Sequence, residues 1–184
     1  MRESLSRRGA SPLRHLVWAV LAAMIVPYPG FASTSDFRYD SLGRLRTACN
    51  AIPSDGERTD YTLDQSDNRS RYTNTRTDFI MGLGSEIGSG DNRFILRMQT
   101  DGNLVLLQRS NQQALWSSNT AGKGATSAYF QGDGNLVIYT SNGSVWHSAT
   151  YNSPCAQIYV QNDGNTVIKN IDGNIVWQTN TGGR

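Results

Sequence analysis

The sequence predicts an all-β protein whose body is three copies of one antiparallel hairpin unit. Segments Met98–Gln108 (MQTDGNLVLLQ), Tyr129–Thr140 (YFQGDGNLVIYT) and Val160–Asn170 (VQNDGNTVIKN) share a pattern, with Gln99, Gln131 and Gln161 spaced by 32 and 30 residues. Trp116, Trp146 and Trp177 lie at spacings of 30 and 31. No part of these repeats carries the apolar period of a helix. Three such units either close about a threefold axis or stack as a very short solenoid.

In chain order, residues 1–32 read as a secretory signal. Arg7, Arg8 and Arg14 give a positive start, Leu16–Val26 (LVWAVLAAMIV) is an apolar run of 11 residues, and Pro27 and Pro29 end it. Gly30-Phe31-Ala32 offers small residues for cleavage. The run is shorter than the roughly 20 residues a membrane span needs, so no stable membrane insertion is expected after cleavage. The protein is therefore expected outside the cell, in a periplasm or on a cell surface.

Charge excludes one class of partner. The formal +2 of the 184-residue chain arises in residues 1–32, where four Arg face one Glu; beyond them, 13 basic residues face 14 acidic ones. Scattered cations at that balance do not build a nucleic-acid groove. Export permits disulfides, and Cys49 and Cys155 are the two cysteines. One intramolecular bridge, free thiols and intermolecular bridges all remain open at this level.

Residues 33–73 differ in character from the repeats. FRYDSLGRL (Phe37–Leu45) and YTLDQSDNR (Tyr61–Arg69) resemble two units of YD-repeat (Rhs-type) proteins, whose motif runs Y-D-x-x-G-R-L. Tyr39, Asp40, Gly43, Arg44 and Leu45 match it. The second unit departs from it, with Leu63-Asp64 in place of Tyr-Asp and Asp67 in place of Gly. Two hairpin units with polar turns bury little area, so this segment should either dock on the repeats or stay partly disordered.

Residues 74–184 contain the repeats, and their register can be argued from repeat two. Asp133-Gly134 is a hairpin signal. A three-residue loop, Gly132-Asp133-Gly134, places Gly134 in the left-handed conformation that glycine accepts freely and pairs Gln131 with Asn135. Phe130, Leu136 and Ile138 then face inward, and Gln131, Asn135, Val137 and Tyr139 face outward. A loop of two or four residues would put the Gln131 amide into the core. The same register buries Phe94, Leu96, Met98, Leu104 and Leu106 in repeat one, and Ile158, Val160 and Ile168 in repeat three, with Thr166 the least comfortable member. A second turn comes after each hairpin, at Ser141-Asn142-Gly143 and Asp172-Gly173 in repeats two and three, and a strand carrying the Trp is next. Three equivalent tryptophans are expected to meet on the axis, each burying on the order of 200 Å².

The outward set has a chemistry of its own. Gln131, Asp133, Asn135 and Tyr139 place two amides, a carboxylate and a phenol around Val137. Adjacent sugar hydroxyls can donate to Asp133 and accept from Gln131 and Asn135, with Tyr139 serving a further oxygen and no metal required. Asp and Asn also stabilise turns by themselves. Turn chemistry does not explain why Gln recurs two positions before each Asp.

Q-x-D-x-N-x-V-x-Y resembles the mannose-binding pattern of bulb-type (monocot) lectins, and Phe79–Arg184 resembles one whole domain of that family, including the closing Gln178-Thr179-Asn180-Thr181. The resemblance implies a β-prism II fold of twelve strands in three antiparallel sheets about a pseudo-threefold axis, and calcium-independent binding of mannose or mannose-containing glycans. Carried over by residue, Gln131, Asp133, Asn135, Val137 and Tyr139 form an intact site. Gln99, Asp101, Asn103 and Val105 match in repeat one, where Leu107 replaces Tyr. Gln161, Asp163, Asn165 and Val167 match in repeat three, where Lys169 does. One lost hydrogen bond is worth about 0.5–1.5 kcal/mol, so repeats one and three are expected to bind weakly or not at all. The family's usual disulfide between its first two repeats is missing, with Gly102 at one of its positions.

Catalytic groups are scarce. His147 is the one histidine beyond the signal, and no G-x-S-x-G, H-E-x-x-H or paired-Cys metal motif occurs. The glycines of Gly82–Gly90 (GLGSEIGSG) precede no helix pattern and read as a turn-rich strand connection. The chain reads as a binder with no catalytic residue and no cofactor. Weak single sites would gain from oligomerisation or fusion to a partner. Two other readings stand beside the secreted lectin: a structural or protein-interaction module on the same scaffold, and a lectin-like bacteriocin directed at bacterial envelope polysaccharide.

Overall fold

The computed structural model describes residues 34–52, 55–63 and 69–184. The expected signal sequence (1–32) and the centre of the second YD-like unit (64–68) lie outside the described residues. Everything described is strand, turn or extended chain.

The first four strands form one antiparallel meander: β1 (Thr34–Tyr39), β2 (Leu45–Ile52), β3 (Asp55–Leu63) and β4 (Arg69–Arg76). Its first turn explains the YD-like sequence in physical terms. The Asp40 carboxylate accepts the backbone N–H of Leu42 and of Arg44, each at 3.0 Å, and the guanidinium groups of Arg44 and Arg46 at 2.7 and 3.1 Å. Gly43 supplies the left-handed residue at φ 74°. The Arg44 side chain, and after it these backbone N–H groups, hold the Asp40 carboxyl well below the usual carboxylate range. The motif is a turn with its own internal clamp.

Eleven further strands build the rest: β5 (Phe79–Gly82), β6 (Glu86–Gly88), β7 (Phe94–Met98), β8 (Leu104–Gln108), β9 (Gln113–Ser117), β10 (Ala125–Phe130), β11 (Leu136–Thr140), β12 (Gly143–His147), β13 (Gln157–Val160), β14 (Thr166–Lys169) and β15 (Ile175–Gln178). They form three antiparallel sheets, ordered β6-β7-β8-β9, β12-β11-β10-β5 and β13-β14-β15. The expected hairpin register is observed. Phe130 pairs with Leu136, the Gln131 N–H donates to the Asn135 carbonyl at 2.8 Å, and Gly134 adopts φ 87°.

The twelve strands implied by the family resemblance are not all present among the described residues, because the third sheet has three strands rather than four. The chain before β13 is engaged elsewhere. The N–H groups of Ser153 and Cys155 donate to the carbonyls of Asp133 and Gly132, each at 3.2 Å, so this stretch closes the turn of repeat two instead of pairing along β13.

One core lies between the three sheets. Phe94, Leu96, Met98, Leu104, Leu106, Phe130, Leu136, Ile138, Val160 and Ile168 are buried together, with Ile158 packed against them. Thr166 is fully buried in this company and its hydroxyl has no hydrogen-bond partner among the described residues, the discomfort its place in the pattern predicts. Trp116, Trp146 and Trp177 meet edge to face, with ring centroids 5.6, 5.5 and 5.9 Å apart. That is the favourable aromatic geometry, and three near-equal contacts close the threefold assembly rather than a solenoid.

The N-terminal meander docks on the repeats. Cys49 of β2 and Cys155 form a disulfide that spans 106 residues of sequence and packs with Ile171 in a buried cluster. Arg38 of β1 pairs with Asp172 in the β14–β15 turn. Of the alternatives left open by the sequence, the structure takes the intramolecular bridge and the docked segment.

Candidate functional site

The five residues of the intact motif lie on the outer face of the β10–β11 hairpin, at its turn end. Backbone interactions shape the turn. Gly134 N–H donates to the Gln131 carbonyl at 2.9 Å, and the Asp133 carboxylate accepts the Asn135 N–H at 2.9 Å, an Asx turn. A Cβ on Gly134 would fall 2.0 Å from the Ser153 carbonyl oxygen, so glycine is required there by space as well as by φ.

Around that turn, Gln131 Nε2 donates to the Tyr139 hydroxyl at 3.2 Å. Asn135 Oδ1 accepts the Ser148 hydroxyl and the Thr150 N–H, each at 3.1 Å. Its Nδ2 group has no protein partner among the described residues, although the residue is only 8% exposed. The Asp133 carboxyl is half-buried, and burial pushes it above its ordinary value against the opposing pull of the Asn135 and Asp133 N–H groups. Val137 lies beneath this set and is only 4% exposed. It acts as packing that supports the polar groups and offers little area of its own.

The other two copies share the turn but not the outcome. In repeat one, Asp101 accepts the Asn103 N–H at 2.9 Å, while Asn103 Nδ2 is engaged by Ser117 Oγ at 3.0 Å. Leu107, at the Tyr139 position, is buried with Ile95 and Val105. Arg109 reaches across that face to Glu86 at 2.9 Å, and Arg97 joins the same carboxylate at 2.7 Å. In repeat three, Asp163 accepts the Asn165 N–H at 2.9 Å, and Asn165 Nδ2 donates to Gln178 Oε1 at 2.8 Å. Lys169 Nζ, at the Tyr139 position, sits 5.7 Å over the Tyr159 ring, and Val167 is buried. Gln99 and Gln161 hold the same backbone turn as Gln131, with Asn103 and Asn165 carbonyls accepting their N–H groups at 2.8 Å.

Sequence reading missed a set of residues that positions every copy. Ser118 and Thr120, Ser148 and Thr150, and Thr179 and Thr181 form three equivalent clasps. In repeat two, Ser148 Oγ bonds Asn135 Oδ1 and approaches Thr150 Oγ1 at 2.7 Å, and Thr150 Oγ1 donates to the Gly134 carbonyl at 2.6 Å. The same pattern recurs with Asn103 and Gly102, and with Asn165 and Gly164. The recurring Asn is thus a structural acceptor through Oδ1 in all three copies. The signal was visible: each clasp stands two and four residues after a repeat tryptophan. Also unread was the position holding Ser117, His147 and Gln178, which decides whether the Asn amide is occupied.

With this geometry in view, the solved structures most informative about it are lectins. The Japanese Marasmius oreades lectin matches at 36% identity with a TM-score of 0.52, over 57% of this chain and 87% of its own. The chain belongs to the bulb-type lectin family, of β-prism II fold. A monomeric monocot mannose-binding lectin from Gastrodia elata matches at 33% identity with a TM-score of 0.49, over 56% of this lectin and 93% of its own chain. Neither a protein-family model nor a curated protein matches the sequence. Nothing in these comparisons supports the YD-repeat resemblance of the N-terminal meander. For the lectin, family membership makes carbohydrate binding the property to explain.

Proposed function

We propose that this lectin binds mannose-type glycans without calcium, through repeat two, and that it is secreted and works on cell-surface glycans with no catalytic role. One observation carries the assignment to repeat two. Of the three copies, it combines a half-buried carboxylate, a Gln131–Tyr139 pair and an Asn amide with no partner among the described residues. A hexose presents adjacent hydroxyls that both donate and accept, and this set answers both needs. In repeats one and three the equivalent amide is taken up by Ser117 and Gln178, so these copies are weak or silent. Mannose as the sugar is inferred from the resemblance of the motif.

The test is retention of the purified protein on mannose-agarose. Elution by free mannose, retention unaffected by EDTA, and loss of retention in Asp133→Ala and Asn135→Ala are expected. Retention of both variants at the wild-type level would remove the site assignment. Secretion is checked by N-terminal sequencing of protein from the culture medium, which should begin close to Ser33.

A further inference from the structure

The residue that follows each clasp differs between the copies. Thr150 Oγ1 donates to the Gly134 carbonyl at 2.6 Å, and the Ser153 N–H to the Asp133 carbonyl at 3.2 Å. Thr181 Oγ1 and the Arg184 N–H make the same two bonds in repeat three, to Gly164 at 2.6 Å and Asp163 at 2.9 Å. The closing N–H stands three residues after the clasp threonine in both, so Tyr151 occupies in repeat two the place that Gly182 occupies in repeat three. A Cβ on Gly182 would fall 2.9 Å from Asp163 Oδ2 and 3.6 Å from Asn165 Cβ. A side chain at this place therefore starts beside the motif carboxylate.

Repeat two is the copy with a large side chain there. Asp133 is half-buried, whereas Asp163, beside Gly182, is exposed. In repeat one the residue after the clasp is Ala121, and the chain closes one residue sooner, with the Gly122 N–H donating to the Asp101 carbonyl at 3.0 Å. Asp101 is exposed as well. Cover over the carboxylate goes with the aromatic residue. Tyr151 is itself 49% exposed, so part of its surface stays available to a ligand, while Val137 at 4% offers almost none.

We propose that Tyr151 is a binding residue of repeat two, its ring taking the C–H face of the same hexose whose hydroxyls meet the Asp133 carboxylate. This rests on the reading of repeat two as the sugar site. A pyranose is polar around its rim and apolar on its C–H face, so a hexose held by hydrogen bonds alone would leave that face in water. An aromatic ring beside the carboxylate supplies the missing apolar area. It also keeps competing water away from the Asp133 hydrogen bonds, which are electrostatically stronger when shielded. Repeats one and three, with Ala121 and Gly182, lack this wall, and that separates the copies independently of the Asn amide.

Titration calorimetry of the purified protein with methyl α-mannoside tests this. Tyr151→Ala should weaken binding by roughly five- to tenfold, and Tyr151→Phe, which keeps the ring, should stay within about twofold of the wild type. Tyr151→Gly, carrying the residue of repeat three, serves if Tyr151→Ala does not fold. Saturation-transfer NMR reads the contact itself: irradiating aromatic protons should reach the sugar C–H protons more strongly in the wild type than in Tyr151→Ala. Wild-type affinity in folded Tyr151→Ala, a Tyr151→Phe as weak as Tyr151→Ala, or equal transfer in the two proteins overturns the ring contact and leaves repeat two standing. Absence of binding by the wild type, or binding that Asp133→Ala leaves unchanged, overturns the reading of repeat two and this inference together.

Discussion

Repeats two and three have the same turn, the same Asx bond and the same clasp, yet they present different surfaces. Asn165 donates its amide to Gln178, and Lys169 lies over Tyr159. Asn135 finds His147 at the position of Gln178, keeps its amide free of partners among the described residues, and stands near the Gln131–Tyr139 pair. The difference teaches that the recurring Gln, Asp and Asn build a hairpin end first. Whether its Asn amide is taken up within the protein is decided by a residue outside the motif, on the neighbouring strand.

The comparison can be attacked at the disulfide, where the largest effect is expected. Cys155 lies in the stretch that closes the turn of repeat two, while Arg184 N–H meets the Asp163 carbonyl at 2.9 Å in repeat three. Opening a 106-residue loop should destabilise the protein by about 4–5 kcal/mol in the chain-entropy picture. Thermal unfolding of Cys49→Ala with Cys155→Ala, or of reduced protein, measures this. Hydrogen exchange at the Gly134 and Asn135 amides should rise more than at Gly164 and Asn165; equal rises would show that the two turns are not differently supported.

Next in size is the carboxylate itself. Hydrogen bonds to a charged group are worth about 1.5–3 kcal/mol, so Asp133→Ala should weaken mannose binding by roughly 10- to 100-fold, and Asp101→Ala and Asp163→Ala by less than about twofold. Calorimetric titration ranks the three. Burial raises the Asp133 carboxyl above 3.8, so the folded protein holds that proton more tightly than the unfolded chain does. The contribution of this group to stability therefore increases as pH falls through the raised value towards 3.8, while sugar binding, proposed to use the carboxylate, should decline over the same window. Asp133→Asn should abolish this component of the stability profile, as denaturant titrations at several pH values would show.

Restoring repeat three is a smaller step. Lys169→Tyr returns one hydroxyl, worth about 0.5–1.5 kcal/mol, and Gln178→His releases the Asn165 amide. The double variant should show a second binding site in calorimetric stoichiometry, and Lys169→Tyr alone a weaker one. A stoichiometry that stays at one in the double variant would mean that some further difference separates the copies.

The smallest effect concerns the clasp. Its central residue is left-handed in every copy, at φ 57° for Asn119, 61° for Ala149 and 58° for Asn180. Alanine is the least suited of these residues to that conformation, which costs roughly 1–2 kcal/mol for an ordinary side chain. Ala149→Asn should raise the unfolding free energy by up to about 1 kcal/mol, measured in denaturant. No gain would indicate that repeat two does not hold this strain.

Much of the architecture was legible from periodicity. The Asp-Gly turn fixed the hairpin register, the register sorted Phe130, Leu136 and Ile138 inward, and the tryptophan spacing foretold the threefold closure. The Asx turns came from Asp standing two residues before Asn. Less legible were contacts between segments distant in sequence. The clasp hydroxyls stand 13 to 18 residues from the asparagine and glycine groups they bind, so no local pattern gives those partners. Alternation places the valines of the motif outward. Their burial depends on which side chains lean over them, and alternation does not set that.

By itself, the sequence determined the repeats, the strand faces, the turn type and the chemistry offered at each hairpin end, because those depend on near neighbours along the chain. Only the tertiary structure decided that Cys49 reaches Cys155, that the segment before β13 closes a turn instead of adding a strand, and that one of three similar amides has no partner among the described residues. Each of these depends on the distance between residues far apart in sequence, a quantity fixed by packing rather than by local backbone preference.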